Sequence, residues 1–375
     1  MKILVACDSF KGSLSAREAC SIVASVINTA RPEWALKSQP LADGGEGTAE
    51  ALLLAGNGCW AEVPGVMGPL QSMTLNASYA WLPESGTAIV EMARASGLVL
   101  LPGDHRNPLQ TTTFGTGQLL SAAIERGARE VLLTLGGSAT VDAGTGAARA
   151  LGWRFLDAWG SEVPLGGGGM IDIRRVERPA RSLPAIAVLC DVTNPLCGPQ
   201  GAAHVFAPQK GATPRQVAIL ATGLENLARI IETQLGIKVD DLVGGGAAGG
   251  FGAGAVAFLG GCLCSGVSTV MEKVHFAEQV RWADWVITGE GCLDSTSLQG
   301  KVVSGVLETA RRCQVPVAVL AGQVRLGQDE LSHAGIQFAI SAMPGNMELA
   351  EGLCQARALL GKAVLRLTEK IAPMG

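Results

Sequence analysis

Residues 1–31 read MKILVACDSFKGSLSAREACSIVASVINTAR, and this stretch decides the fold class. Residues 3–7 form a short apolar run of strand type. Ser13 and Ser15 can each cap a following helix, and Glu18 stands three residues after Ser15, the spacing of a capping box. Ala19, Ile22, Val23 and Val26 then recur at helical spacing until Pro32 ends the pattern. A second strand over 35–41 completes a β-α-β unit.

Working outward, the same alternation recurs. Helices are predicted over 49–54, 117–127, 218–235, 302–313 and 351–371, the last amphipathic and closing the first domain. Strands are predicted over 131–135, 185–190, 285–288 and 315–320. Between 61 and 82 the pattern shortens and alternates, punctuated by Pro and Gly, which predicts antiparallel β-structure and a change of domain. Strands alternating with helices give an α/β fold with largely parallel sheets. Strands without strict alternation fit burial on both faces.

Composition narrows the class of function. The chain has 375 residues, 48% of them hydrophobic, so two domains are the natural expectation. Charged residues make up 17% and the net charge is -4, with no basic block to attract nucleic acid or an anionic membrane. One tyrosine and 4% aromatics give no base-stacking platform. Ten scattered cysteines without a Cys-x-x-Cys pair, and four separated histidines, read as reduced thiols in a cytoplasmic protein rather than a zinc or disulfide framework. Asp8 interrupts the first apolar run too early for a signal peptide. Residues 242–271 carry no charge, but their glycines supply little apolar area, so they read as a loop entering a buried helix rather than a membrane span.

In open α/β sheets ligands bind at the carboxyl ends of strands. There the chain places Asp8-Ser9-Phe10-Lys11-Gly12-Ser13, Asp43-Gly44-Gly45-Glu46-Gly47-Thr48, Gly136-Gly137-Ser138-Ala139-Thr140, Asp191-Val192-Thr193-Asn194-Pro195 and Gly289-Glu290-Gly291. Turns alone favour Gly, Asp and Asn, but they do not demand Lys11, Glu46 or Glu290. Phosphoryl transfer needs backbone donors for phosphate oxygens, cations against the developing charge, and a carboxylate near the acceptor hydroxyl. All three kinds of group are present. Residues 244–254 are the best phosphate loop by composition and contain Gly-x-Gly-x-x-Gly as Gly244, Gly246 and Gly249. No strand clearly precedes that loop, so a dinucleotide fingerprint is weak, and glycines that let backbones pack closely are the competing reading. No Walker sequence or protein-kinase signature occurs. Glu290 and Asp294, four residues apart, could share one Mg²⁺. Two further functions remain open on residues alone: a nicotinamide-dependent hydroxy-acid dehydrogenase, and a non-catalytic binding or transport component.

Taken together and in order, these motifs resemble the bacterial glycerate kinase family. The resemblance is carried by 8–15, 40–48, 135–146, 190–196, Gly201-Ala202 through Gln209-Lys210-Gly211, and 288–291 with Asp294, Gly300 and Lys301. It implies a Rossmann-like domain, residues 1–62 with 265–375, and a second α/β domain, residues 63–264, inserted into it, with the active site in the cleft between. It implies ATP and Mg²⁺ as co-substrates, D-glycerate as acceptor and 2-phosphoglycerate as product. Asp191 and Lys11 are then the expected catalytic residues, and Ser9, Asn194 and Lys301 would hold substrate. Gly136, Gly137, Ser138, Thr140, Gly244, Gly246, Gly249 and Gly252 would hold the nucleotide, and Asp43, Glu46, Glu290 and Asp294 the metal. Cys292 stands where arginine is common in the family, which shifts phosphate neutralisation toward Lys11 or Lys301. No nucleic acid or membrane partner is expected, and homo-oligomerisation is left open.

Overall fold

The computed structural model describes residues 1–371. Its chain divides into two compact units. The first comprises Met1–Asp43, Glu50–Gly56 and the chain from Gly266 onward; the second comprises Gly44–Ala49 and Asn57–Ser265.

The first unit is built on a five-stranded sheet in the order Ile336–Ser341, Val317–Val324, Trp285–Leu293, Lys2–Val5, Ala35–Ser38. All its pairings are parallel, with Ile3 opposite Trp285 and Val5 opposite Ile287. Strands of this kind need both faces covered. Ile3, Val5 and Cys7 join one core with Ile22, Val23, Leu360 and Val364, from helices Ala16–Ala30 and Ala356–Ile371. Leu4, Val286 and Val319 are equally buried, and helices Phe276–Trp282 and Val302–Cys313 pack against those strands. Each such side chain taken from water contributes about 1.5–3 kcal/mol. The capping box forms as predicted: the Glu18 amide donates to Ser15 Oγ at 3.2 Å and the Ser15 amide to the Glu18 carboxylate at 3.0 Å.

The Gly-Glu-Gly sequence differs from expectation. The strand predicted to stop at 288 continues through Leu293. Glycine is what allows this, because a Cβ at Gly289 would collide with the Leu320 carbonyl of the neighbouring strand. Glu290 is therefore a strand residue with a fixed direction, not part of a loop.

The second unit holds a six-stranded sheet in the order Cys262–Cys264, Ala185–Leu189, Glu130–Thr134, Thr87–Glu91, Thr74–Leu82, Cys59–Met67. The first four strands are parallel and the last two antiparallel. The predicted antiparallel region is thus the hairpin Cys59–Met67 with Thr74–Leu82. Buried Glu91 accepts from the amides of Gly47 and Ala49, both at 3.0 Å, which ties the segment Gly44–Ala49 to this unit. Residues 244–259 run through a turn into helix Ala247–Leu259, which is buried along most of its length. Among the described residues no helix is long and apolar enough to cross a membrane.

Candidate functional site

At the carboxyl ends of the parallel strands of the first unit lies a cavity of about 310 Å³. The strand Lys2–Val5 leads into Asp8, Ser9 and Lys11, and the strand Trp285–Leu293 contributes Glu290. Asp43, Asp294, Lys301 and Arg325 also line it. Six of the predicted residues therefore meet here: Ser9, Lys11, Asp43, Glu290, Asp294 and Lys301.

Asp8 is the residue that motif reading left without a role. Its side chain is 8% exposed, and burial first, then the nearby Asp43, push its carboxyl up to about 7. Lys11 and the Ser9 amide, which donates to Asp8 at 2.6 Å, work the other way. The signal in the sequence was its place directly after the first strand. Glu290 is also only 8% exposed, and burial raises its pKa. Its Oε1 has no hydrogen-bond partner, which an interior carboxylate oxygen does not normally tolerate.

Asp294 is held differently. It caps the turn Ser295–Leu298, accepting from the Thr296 amide at 2.9 Å and from the Thr296 hydroxyl at 2.6 Å. Those bonds, the hydroxyl's first, lower its pKa. Lys301 donates to the same Thr296 hydroxyl at 2.7 Å and stands at the N-cap of helix Val302–Cys313. Cys292 lines the cavity beside Arg325, and burial raises its thiol pKa. Nothing in the sequence marked Arg325 beyond its place after a strand.

Among the described residues no three His, Cys, Asp or Glu side chains converge into a closed metal cage. Mg²⁺ on a nucleotide does not need one, since one or two carboxylates, phosphates and water complete its shell. The orphaned Glu290 oxygen, with the Asp8 carboxylate near it, fits such an ion. Glu46 is exposed, belongs to the second unit and does not line this cavity.

The other predicted residues lie in the second unit. Gly136, Gly137, Ser138 and Thr140 follow the strand Glu130–Thr134 in a turn where Gly137 takes φ +71°. Beneath it lies Lys210, 3% exposed, which donates to Ser138 Oγ and to the Thr140 carbonyl, each at 2.7 Å. Burial pulls its ammonium down to about 7 despite Asp142 nearby. Lys210 was legible as part of a motif, but its partners were not. Asp142 ties this region to the start of helix Phe114–Glu125, accepting from the Thr113 amide at 2.8 Å and its hydroxyl at 2.9 Å. Asp191 is exposed two residues past the strand Ala185–Leu189, and Asn194 donates to the Gln200 carbonyl at 2.9 Å.

Gly244, Gly246, Gly249 and Gly252 are buried. The amides of Gly245, Gly246 and Gly250 donate to the carbonyls of Leu242, Asn194 and Gly246. A Cβ at Gly249, where φ is +69°, would collide with the Thr140 carbonyl, and one at Gly252 with that of Gly244. The local geometry is that of backbone packing.

Comparison with known proteins places this arrangement. Residues 3–372 match the sequence profile described as the glycerate kinase family. The chain belongs to the glycerate kinase family. It is 41% identical to a glycerate kinase of Halalkalibacterium halodurans over 96% of each chain. It is 41% identical to a glycerate 2-kinase of Escherichia coli, over 92% of this chain and 91% of that one. A crystal structure of a provisionally named glycerate kinase 2 from Salmonella typhimurium LT2 superposes with a TM-score of 0.86 at 39% identity, covering 99% of this chain and 98% of that one. As a glycerate kinase family member the chain is a phosphotransferase, and the dehydrogenase and transport readings fall away.

Proposed function

We propose that this protein transfers the terminal phosphate of ATP to the 2-hydroxyl of D-glycerate. The observation that carries the reading is the cavity of the first unit, in which Asp8, Asp43 and Glu290 meet Lys11 and Lys301. Family membership and the likeness to a glycerate 2-kinase support both the reaction and its regiochemistry.

In the reaction the glycerate hydroxyl oxygen bonds to the terminal phosphorus, the bond from that phosphorus to the bridging oxygen breaks, and ADP leaves. Ser9 holds the acid, and the hydroxyl proton passes to a carboxylate. Lys11 and Lys301 offset charge on the transferred group, an electrostatic contribution made in the transition state. Glu290, with Asp8 beside it, would hold Mg²⁺. Bound there, the ion would neutralise phosphate charge and offset the burial and the neighbouring Asp43 that together raise Asp8. Asp294 supports Lys301 through Thr296. The turn 136–140, stiffened by Lys210, presents itself as an anion cradle. Ten unbridged cysteines suit the reducing cytoplasm.

The test is phosphate transfer from Mg-ATP to D-glycerate with the product resolved. 2-Phosphoglycerate is expected. 3-Phosphoglycerate would overturn the regiochemistry, and no transfer by folded protein would overturn the acceptor.

A further inference from the structure

The cavity of the first unit contains more than a three-carbon acid and a phosphate require. Its charged lining comes from strand ends and from the segment 294–301. The rest comes from elsewhere in the chain: Met343, Leu349, Leu353, Leu359 and Leu360, joined by Phe10. Leu359 and Leu360 belong to helix Ala356–Ile371 and are buried, so this wall is anchored in the core. Leu349 and Leu353 are 60% and 37% exposed. They are among the few large apolar side chains left open to solvent, and both line this one cavity. A Cβ on Gly12 would lie 3.9 Å from Leu353 Cδ2, so the leucine sits beside the loop that carries Lys11.

Glycerate is polar at every carbon and gains nothing from a leucine wall. The chemistry that suits the cavity is a flat, uncharged, largely apolar body joined to a polyanion that carries a divalent cation. A volume of about 310 Å³ falls at the lower end of the range of drug-sized ligand pockets. We propose that this cavity is the nucleotide site, with the base and ribose of ATP lying on Leu349, Leu353 and Leu360 and the polyphosphate running toward Lys11 and Lys301. The inference rests on the kinase reading above and deepens it. It gives base recognition, which no sequence motif had claimed, to an aliphatic surface formed by the C-terminal helices of the first unit.

The test titrates a non-hydrolysable ATP analogue, with Mg²⁺, into the full-length wild type and into Leu353→Asp, Leu349→Asp and Leu353→Met. Both positions are exposed, and thermal melting followed by circular dichroism checks that the variants fold. A carboxylate on the wall should weaken analogue binding by about tenfold or more, equivalent to about 1.4 kcal/mol. Methionine should bind nearly as wild type does, and KM for glycerate should stay within about twofold in all variants. Unchanged analogue affinity in both aspartate variants overturns the proposal. So does a rise in glycerate KM with analogue affinity intact, which would assign the wall to the acid. Folded wild type that binds no analogue also overturns it. A wild type that binds through this wall yet transfers no phosphate to glycerate would support the nucleotide site and remove only the acceptor. Transfer to glycerate by wild type, with the aspartate variants binding normally, would remove only the site.

Discussion

Two glycine-rich stretches of this chain look alike on paper and are packed differently. Gly289-Glu290-Gly291 lies in a strand whose end lines a charged cavity, and its glycines let the neighbouring strand come close while Glu290 keeps a fixed direction. Residues 244–254 hold more glycine, yet almost all are buried, and the amides of Gly245, Gly246 and Gly250 bond carbonyls of this same chain. Glycine records where backbones approach each other. What surrounds the glycine differs between the two: Glu290 brings an unpaired carboxylate oxygen to a cavity that Lys11 and Lys301 also line, whereas Gly249 packs on the Thr140 carbonyl, which already accepts from buried Lys210.

The largest effect that would break this contrast is Gly254→Ala. Its Cβ would collide with the Ala143 carbonyl, and the expected loss is about 3 kcal/mol of stability. The measurement is a denaturant midpoint, together with KM for both substrates on the molecules that remain folded, which should be normal. A well-folded variant with a raised nucleotide KM would return the stretch to phosphate binding.

Glu290→Gln should show the reverse pattern. Activity should fall roughly 10²-fold, and the melting temperature should hold or rise, because burial already disfavours the ionised carboxylate. Steady-state kinetics beside thermal melting decides it, and wild-type turnover would remove Glu290 from the site.

Lys210 offers a pH test of the second unit. Its folded pKa is about 7, far below the ordinary lysine value of 10.5. Between those limits the unfolded chain holds the proton and the folded chain does not. Stability contributed by this group therefore rises with pH across about 7 to 10.5, by up to about 1.4 kcal/mol per pH unit. Below about 7 both states are charged and the burial penalty is fully present. Lys210→Met should abolish the rise, read from urea midpoints at several pH values. Parallel profiles for variant and wild type would show that Lys210 stays charged on its two acceptors.

The smallest effect is at Asp294. As a cap it should contribute about 1 kcal/mol, so Asp294→Ala should lower the unfolding midpoint slightly and leave the Mg²⁺ requirement within about threefold. A tenfold higher Mg²⁺ requirement would restore it as a metal ligand.

By itself the sequence determined the α/β class, the helix start at Ser15, the change of pattern from residue 61 and the family, because these rest on local spacing and on motifs in order. Asp8 stood in plain view after the first strand, but its high pKa comes from burial and then from Asp43, thirty-five positions away. Strands Thr87–Glu91 and Cys262–Cys264 were missed, since a short strand shares its apolar signal with any buried segment. The divergence of the two glycine stretches, the partners of Lys210 and the union of residues 343–360 with the first loop were decided only by tertiary structure. Each depends on groups distant in the chain, and the free energy of a polar or apolar side chain is set by the neighbours that replace its water.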